Sequence, residues 1–196
     1  MDARVLSIKT KESKSMLVEL TVEINREKKK YIINEGTYRK IGCPLSDDLI
    51  DEDALEHIRG EDERRRALKK ALNVLSFSDN SESKLREKLY RAGFSSSAAN
   101  FAIEQCCSLG YIDELRQIER LVMREYSYLF GPKKILYKLS HRGYSTKKIL
   151  SVISSLKENG KIDFDKTKQE LLNTKLESDA SYEEKMKLLQ KYGYVK

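Results

Sequence analysis

The stretch that decides the fold is ALNVLSFSDNSESKLREKLYRAGFSSSAANFAIEQCCSLGYIDE, residues 71–114. Its apolar residues recur at helical spacing, and its second apolar run ends in Gly followed by an aromatic residue. Moving the chain 50 residues along itself places these positions, without gaps, on similar residues further on. The matched positions include Leu85 with Ile135, Leu89 with Leu139 and Leu189, Gly93 with Gly143 and Gly193, and Phe94 with Tyr144 and Tyr194. The chain therefore contains an internal helical repeat.

Each repeat is predicted to form three helices, because capping residues recur at the same offset. The glycines that end the middle helices suit a left-handed turn, and Pro132 suits the first position of a helix. Predicted N-caps are Ser95, Ser145, Asp113 and Asp163, and Ser181 with Glu184 has the spacing of a capping box. The predicted repeats are 62–112, 113–162 and 163–196, and the third is expected to lack its last helix. Their predicted helices are 62–77, 81–92, 96–109, 113–129, 132–142, 146–158, 164–177 and 182–192.

The first 61 residues have a different pattern, which predicts a small β-strand region. Met16, Val18, Leu20, Val22 and Ile24 alternate with mostly polar residues, as in a half-buried strand. Residues 4–10 and 29–34 can pair with it, and residues 25–28 can form a turn. The predicted fold is thus mainly α, with tandem three-helix repeats in an extended array behind this region.

Charge is distributed unevenly along the chain. The formal net charge is +7, yet residues 47–63 carry −8, which leaves +15 for the rest. We consider three roles for the acidic segment, which is expected to be helical over residues 47–59: a solvated linker, a cover for the sheet, or a regulator of the basic helices. The basic remainder suits nucleic acid or an acidic protein groove, although a solvated helical surface has the same composition.

The candidate binding residues are cations that recur at the repeat offset. Lys84, Lys88 and Arg91 lie at i, i+4 and i+7 on one predicted helix, and Lys134, Lys138 and His141 repeat them on the next. The full candidate set is Arg64, Arg65, Lys69, Lys84, Arg86, Lys88, Arg91, Lys133, Lys134, Lys138, His141 and Arg142. The alternative is a solvated face that only maintains solubility. Tyr126, Tyr128 and Phe130 form an aromatic patch suited either to base stacking or to packing at a helix end.

Catalytic and membrane functions are not expected. The two histidines, His57 and His141, have no spaced carboxylate or Cys partner, and no phosphate-binding Gly-rich loop occurs. The three cysteines form neither a disulfide framework nor a zinc pattern, and no apolar run approaches about 18 residues. We therefore expect a cytoplasmic, monomeric binding protein with no cofactor, no metal and no membrane contact.

Residues 71–114, together with FGPKKILYKLSHRGYS at residues 130–145, resemble the RecX family of bacterial regulators. The basic Leu-containing helix ending in Gly-Phe, the closing Gly-Tyr-Ile-Asp and the Gly-Pro-Lys-Lys-Ile segment carry the resemblance, in order and spacing. The short third repeat and the loop at residues 177–181 depart from the family pattern.

The resemblance implies binding to RecA–single-stranded DNA filaments, with single-stranded DNA as a secondary contact. It also implies inhibition of RecA's recombinase, ATPase and co-protease activities, in DNA repair and the SOS response. Two alternatives remain: a helical protein that contacts DNA non-specifically through its Lys/Arg stripes, and an adaptor for another acidic partner.

Overall fold

The computed structural model describes residues 3–11 and 17–195, which form two compact units. The first unit comprises the chain up to Phe77 together with Arg86–Leu109, and the second comprises Ser78–Leu85 and the chain from Gly110 onward. The helical fold with a small N-terminal sheet is as predicted. The division into segments at residues 61, 112 and 162 stays a prediction.

The sheet of the first unit is antiparallel and has the strand order β3-β2-β1-β4. Its strands are β1 (Ala3–Lys11), β2 (Leu17–Ile24), β3 (Glu27–Asn34) and the two-residue β4 (Leu49–Ile50). The alternating residues of β2 from Val18 to Ile24 are buried, whereas Met16 lies outside the described residues. Asn25 and Arg26 both adopt positive φ, 50° and 67°, which matches a tight two-residue hairpin turn. β4 had no signal in the sequence because two residues show no alternation.

Two helices cover the buried face of this sheet, α1 (Glu35–Lys40) and α2 (Glu52–Phe77). The predicted break between an acidic helix over residues 47–59 and a helix over 62–77 is wrong, since α2 begins at Glu52 and is continuous. Leu55 and Ile58 pack on the sheet, and the buried Asp62 accepts a hydrogen bond from the Ile32 N–H at 3.0 Å. The acidic segment therefore covers the sheet, because its apolar side chains pack on the sheet and its Asp62 carboxylate binds the backbone of β3.

The C-terminal half of α2 packs against α4 (Ser96–Ser108) through small side chains. Ala67 and Ala71 of α2 and Ala98 and Ala102 of α4 are all buried. Small side chains let helix axes approach closely, so the alanines set the spacing of this pair. Helix α3 (Glu82–Arg91) precedes α4, and the boundary between the units falls within α3.

The second unit holds the second repeat and the helices that follow it. Its helices are α5 (Glu114–Ser127), α6 (Pro132–His141), α7 (Thr146–Glu158), α8 (Phe164–Lys175) and α9 (Tyr182–Tyr192). Its core contains the apolar positions that recur in the sequence, among them Ile118, Ile135, Leu139, Tyr144 and Ile153. The predicted N-caps at Ser95, Ser145, Asp113 and Asp163, the capping box of Ser181 and Glu184, and Pro132 at the start of α6 are all confirmed.

Two tyrosines at equivalent repeat positions differ in their hydrogen bonds. The Tyr144 hydroxyl donates to Gln117 Oε1 at 3.0 Å, and both residues are buried. The Tyr194 hydroxyl is buried without a partner among the described residues, and burial raises the pKa of Tyr194 to about 12. The residue 50 positions after Gln117 is Thr167, whose hydroxyl already donates to the Asp163 carbonyl at 2.7 Å. Tyr194 therefore lacks the hydrogen-bond acceptor that Gln117 provides for Tyr144.

We predict different effects of the same substitution at these two tyrosines. Tyr144→Phe leaves the Gln117 oxygen buried and unpaired, so it should lower the free energy of unfolding by about 1–2 kcal/mol. Tyr194→Phe removes a hydroxyl that makes no hydrogen bond, so it should be neutral or stabilise by up to about 1 kcal/mol. Urea denaturation followed by circular dichroism measures both. Equal destabilisation of the two variants would contradict the hydrogen-bond assignment.

Candidate functional site

The candidate site is built on contacts that join consecutive repeats inside the second unit. At each contact, the N-terminal turn of one middle helix packs on the glycine turn that ends the next middle helix. The Ser81 hydroxyl donates to the Arg142 carbonyl at 2.9 Å before α3, and the Gly131 N–H donates to the Tyr192 carbonyl at 2.8 Å before α6. Both donors and both acceptors are 50 residues apart, so the same contact occurs twice.

The turns impose two separate requirements on these glycines: a left-handed backbone conformation and, at some positions, the absence of a Cβ next to a neighbouring helix. Gly93, Gly143 and Gly193 all adopt left-handed φ, 86°, 85° and 84°. A Cβ at Gly143 would lie 2.7 Å from the Ser81 hydroxyl, and one at Gly193 would lie 2.4 Å from the Lys134 backbone nitrogen. A Cβ at Gly93 would meet nothing within 4 Å. Close packing between repeats therefore constrains the second and third glycines but not the first.

The first lysine of each predicted stripe lies at these contacts. Lys134 Nζ donates to the Lys191 carbonyl at 2.9 Å and lies 4.3 Å from the centre of the Phe130 ring. Burial, together with repulsion from Lys138 and Lys191, lowers the pKa of Lys134. Lys84 is half-buried, and its Cγ lies 3.1 Å from where a Cβ of Gly143 would be. Both lysines thus pack between repeats.

Lys138, the next member of the stripe, pairs with a buried carboxylate. Its Nζ contacts Glu125, whose side chain is only 3% exposed, and Arg124 contacts the other oxygen of Glu125 at 2.8 Å. Burial alone would raise the pKa of Glu125, but the hydrogen bonds from Lys138 and Arg124 outweigh it and lower that pKa. Lys138 is therefore an internal counter-ion.

A second buried carboxylate, Glu114, holds the start of α3. It accepts the Glu82 N–H at 2.9 Å and the Lys148 Nζ at 2.6 Å. The hydrogen bond to Glu114 raises the pKa of Lys148, although burial opposes that shift. The structural role of Glu114 was not predicted from the sequence. The repeat contains one indication that this position is buried, because the residue 50 positions after Glu114 is the buried Phe164.

The other candidate cations are placed on α2, α3 and α6. Arg86 donates to Asn100 at 3.2 Å, Arg91 pairs with Glu87 at 2.5 Å, and Arg64 lies 5.9 Å from the centre of the Phe101 ring. Arg65 is half-buried. The exposed members of the set are Arg64, Lys69, Lys88, Arg91, Lys133, His141 and Arg142. The predicted stripe therefore divides into lysines that hold the fold and cations that face solvent; binding by the latter stays a prediction.

The aromatic patch formed by Tyr126, Tyr128 and Phe130 also contains both packed and exposed side chains. The Tyr126 ring packs edge-on against Phe164 with centroids 5.7 Å apart, and its hydroxyl donates to the Asp163 carbonyl at 3.1 Å. Tyr128 is 59% exposed. Packing accounts for Tyr126 but leaves Tyr128 available.

Two kinds of site are absent from the part of the chain that the structure describes. Within residues 3–11 and 17–195, no group of three His, Cys, Asp or Glu side chains could hold a metal ion. In the same part of the chain, every helix is too short or too polar to span a bilayer.

These features define a class: a tandem three-helix repeat protein that carries exposed cations on its repeat helices. Within that class, the predicted resemblance to the RecX family is confirmed. The model of RecX, first three-helix domain, matches residues 67–106, which contain the C-terminal part of α2, all of α3 and most of α4. The chain is 31% identical over 94 residues to the regulatory protein RecX of Legionella pneumophila, including strain Corby. That alignment covers 48% of this chain and spans 63% of the length of those relatives.

Solved structures support the same fold. A crystal structure of regulatory protein RecX matches with a TM-score of 0.63 at 14% identity, over 96% of this chain and 91% of that one. The crystal structure of RecX from Lactobacillus salivarius matches with a TM-score of 0.53 at 20% identity, over 67% of this chain and 86% of that one. At these identities the likeness concerns the fold.

The glycine turns generate a matched prediction. Gly93→Ala and Gly143→Ala impose the same left-handed strain, about 1–2 kcal/mol, but only the second also collides with Ser81. We expect Gly143→Ala to lower the free energy of unfolding by at least about 1 kcal/mol more than Gly93→Ala, because an overpacked contact must shift. Thermal and urea denaturation of the pair measure this difference. Equal losses would show that the contact between repeats tolerates a methyl group.

The Glu125 pair generates a pH prediction. Because folding lowers the pKa of Glu125 below its ordinary 4.5, its ionisation stabilises the fold above that pH. This contribution is lost as pH falls through the lower folded pKa. Glu125→Gln should therefore cost roughly 1.5–3 kcal/mol at neutral pH, and the difference from wild type should shrink below pH 4.5. Urea unfolding of both proteins across this pH range measures it; a constant difference would contradict the account.

Proposed function

We propose that this chain is a non-catalytic regulator that binds RecA–single-stranded DNA filaments and inhibits RecA's ATPase, recombinase and co-protease activities. The observation that carries the proposal is the match of the RecX first three-helix domain to residues 67–106. The relatives it resembles are named as regulatory proteins. We further propose that it acts in the cytoplasm as a monomer and without a cofactor.

The exposed cations give this proposal a physical basis. Exposed cations include Lys88 and Arg91 on α3, Lys133 and His141 on α6, and Arg142 immediately after α6, and these two helices are 50 residues apart in the sequence. Repeated cations can meet the repeated carboxylates or phosphates of a filament one after another. Each exposed contact is weak and screened by salt, so affinity depends on their number.

Direct DNA binding is the second candidate function. The exposed side chains are Lys, Arg and His rather than the Asn and Gln that read adenine edges, which favours backbone contact without sequence preference. In this alternative the protein would bind DNA equally well with or without RecA.

The proposed function can be tested by measuring the rate at which RecA hydrolyses ATP on single-stranded DNA. Increasing amounts of the wild-type protein, or of the double variant Lys133→Glu/Arg142→Glu, are added to this reaction. Both side chains are exposed. Lys133 contacts the Gly193 carbonyl, and Arg142 accepts from Ser81, only through backbone atoms, so the fold should survive reversal of the side-chain charges. We expect wild type to inhibit, and the double variant to need about tenfold more protein for half-inhibition, since reversing two surface charges alters contacts worth up to about 1 kcal/mol each.

The matched control is Lys157→Glu/Lys166→Glu, which reverses two exposed lysines on α7 and α8 and gives the same net charge. It should inhibit like wild type. Equal weakening of both double variants would show that net charge, rather than the α6 surface, governs inhibition. Absence of inhibition by wild type, with DNA binding retained, would favour the second candidate function.

A further inference from the structure

An open cleft of about 550 Å³ in the second unit combines aromatic rings with lysines. It is lined by residues from the end of α5, from α6, and from α8 and α9: Ser127, Tyr128, Leu129, Phe130, Lys138, Thr174, Lys175 and Tyr192. None of these described lining residues carries a carboxylate. Glu125, which reaches Lys138 from α5, is already paired with Lys138 and Arg124. The cleft is therefore cationic and partly apolar.

The rings in this cleft are ordered by one another and by a strained turn. Leu129 adopts a left-handed φ of 61°, uncommon for a branched side chain, between Tyr128 and Phe130. The Phe130 ring lies 6.2 Å from the Tyr128 ring and 5.5 Å from the Tyr192 ring, centre to centre. Together these contacts hold an aromatic platform at the end of α5.

Only one ring of this platform is available to a ligand. Lys134 Nζ and Lys138 Nζ lie 4.3 Å and 4.4 Å from the centre of the Phe130 ring, and Lys134 Nζ lies 5.5 Å from the centre of the half-buried Tyr192 ring, so both rings already contact cations. Tyr128 is 59% exposed, and Lys175 at the rim is also exposed. An exposed aromatic ring beside an exposed lysine presents a flat surface for stacking and a charge for an anion.

We propose that this cleft binds single-stranded nucleic acid, with a base stacked on Tyr128 and a backbone phosphate at Lys175. Every base has a π face, so a stacking platform with nearby cations binds a strand without sequence preference. The duplex is disfavoured because its bases are already stacked. This inference rests on the proposed function in one respect, since a RecA filament supplies the single strand.

A peptide partner fits the cleft less well. An acidic peptide would satisfy Lys175 but would leave the Tyr128 face without a planar partner, and an apolar peptide would leave the lysine unpaired. A nucleotide strand satisfies both, because it alternates planar bases with phosphates. Binding of a protein rather than a strand is therefore an outcome that the test must exclude.

The chain contains no Trp, which permits a direct optical test. Tyr128→Trp places a single tryptophan at the proposed stacking position, and Tyr182→Trp places one at a tyrosine that is 79% exposed at the start of α9. We expect a thymidine oligonucleotide to quench the Tyr128→Trp emission saturably, with strong salt dependence, and to leave Tyr182→Trp unchanged. Equal quenching at both positions, or none at Tyr128→Trp, would overturn the proposal.

Oligonucleotide affinity, measured by fluorescence anisotropy without RecA, supplies a second readout. Tyr128→Ala should weaken binding roughly five- to a hundredfold, as for loss of one stacked base, and Tyr128→Phe should retain it. Unchanged affinity in Tyr128→Ala, or no oligonucleotide binding by wild type, would refute the cleft. RecA inhibition is measured separately: a wild type that binds the strand through Tyr128 but does not inhibit RecA would refute the proposed function alone.

Discussion

The second unit depends on one steric constraint: a left-handed turn without a Cβ must leave room for the first residues of a neighbouring helix. Gly143 and Gly193 supply that turn, and the N-terminal residues of α3 and α6 fill it. A helix N-terminus has unsatisfied N–H groups and a helix C-terminus has unsatisfied carbonyls. The contact between α6 and α9 satisfies both, because the Gly131 and Lys133 N–H groups donate to the Tyr192 and Gly193 carbonyls. At the contact between α3 and α6 the Ser81 hydroxyl is the donor instead. This contact accounts for the 50-residue repeat in the sequence, because the contact can recur only if helix lengths and glycine positions keep the same spacing.

The same contact explains why the cations of the predicted stripe on α6 have different roles. Lys134 lies where α6 packs on the Gly193 turn, and Lys138 lies over the buried Glu125, so their charges are used inside the protein. Lys133 and Arg142, on the same helix or at its end, are exposed. The exposed cations that we propose as filament contacts therefore lie on either side of the structural lysines, and charge reversal at Lys134 or Lys138 would damage the fold before it reported on binding.

Features that local chemistry determines could be predicted from the sequence. The caps at Ser145 and Asp163, the left-handed glycines and the three long strands follow from side chains within a few residues of each position. Features that depend on tertiary partners could not be predicted. The break expected near residue 60 is absent, because Leu55 and Ile58 keep α2 helical by packing on the sheet. Lys138 pairs with Glu125 on the preceding helix, and Glu114 binds residues more than 30 positions away, so neither role follows from residues close in sequence. The exposure of Tyr128 likewise depends on which residues of the folded protein cover Tyr126 and leave Tyr128 uncovered.

We propose that this chain recognises the RecA filament rather than DNA alone, and co-sedimentation at increasing salt concentration distinguishes the two. Binding to single-stranded DNA through exposed cations must fall steeply as salt rises, because each phosphate contact releases counter-ions. Contacts with RecA itself would persist over a wider range. We expect the protein to co-sediment with RecA–single-stranded DNA filaments at a salt concentration where it no longer binds the same DNA without RecA. Identical salt curves for filament and bare DNA would contradict it.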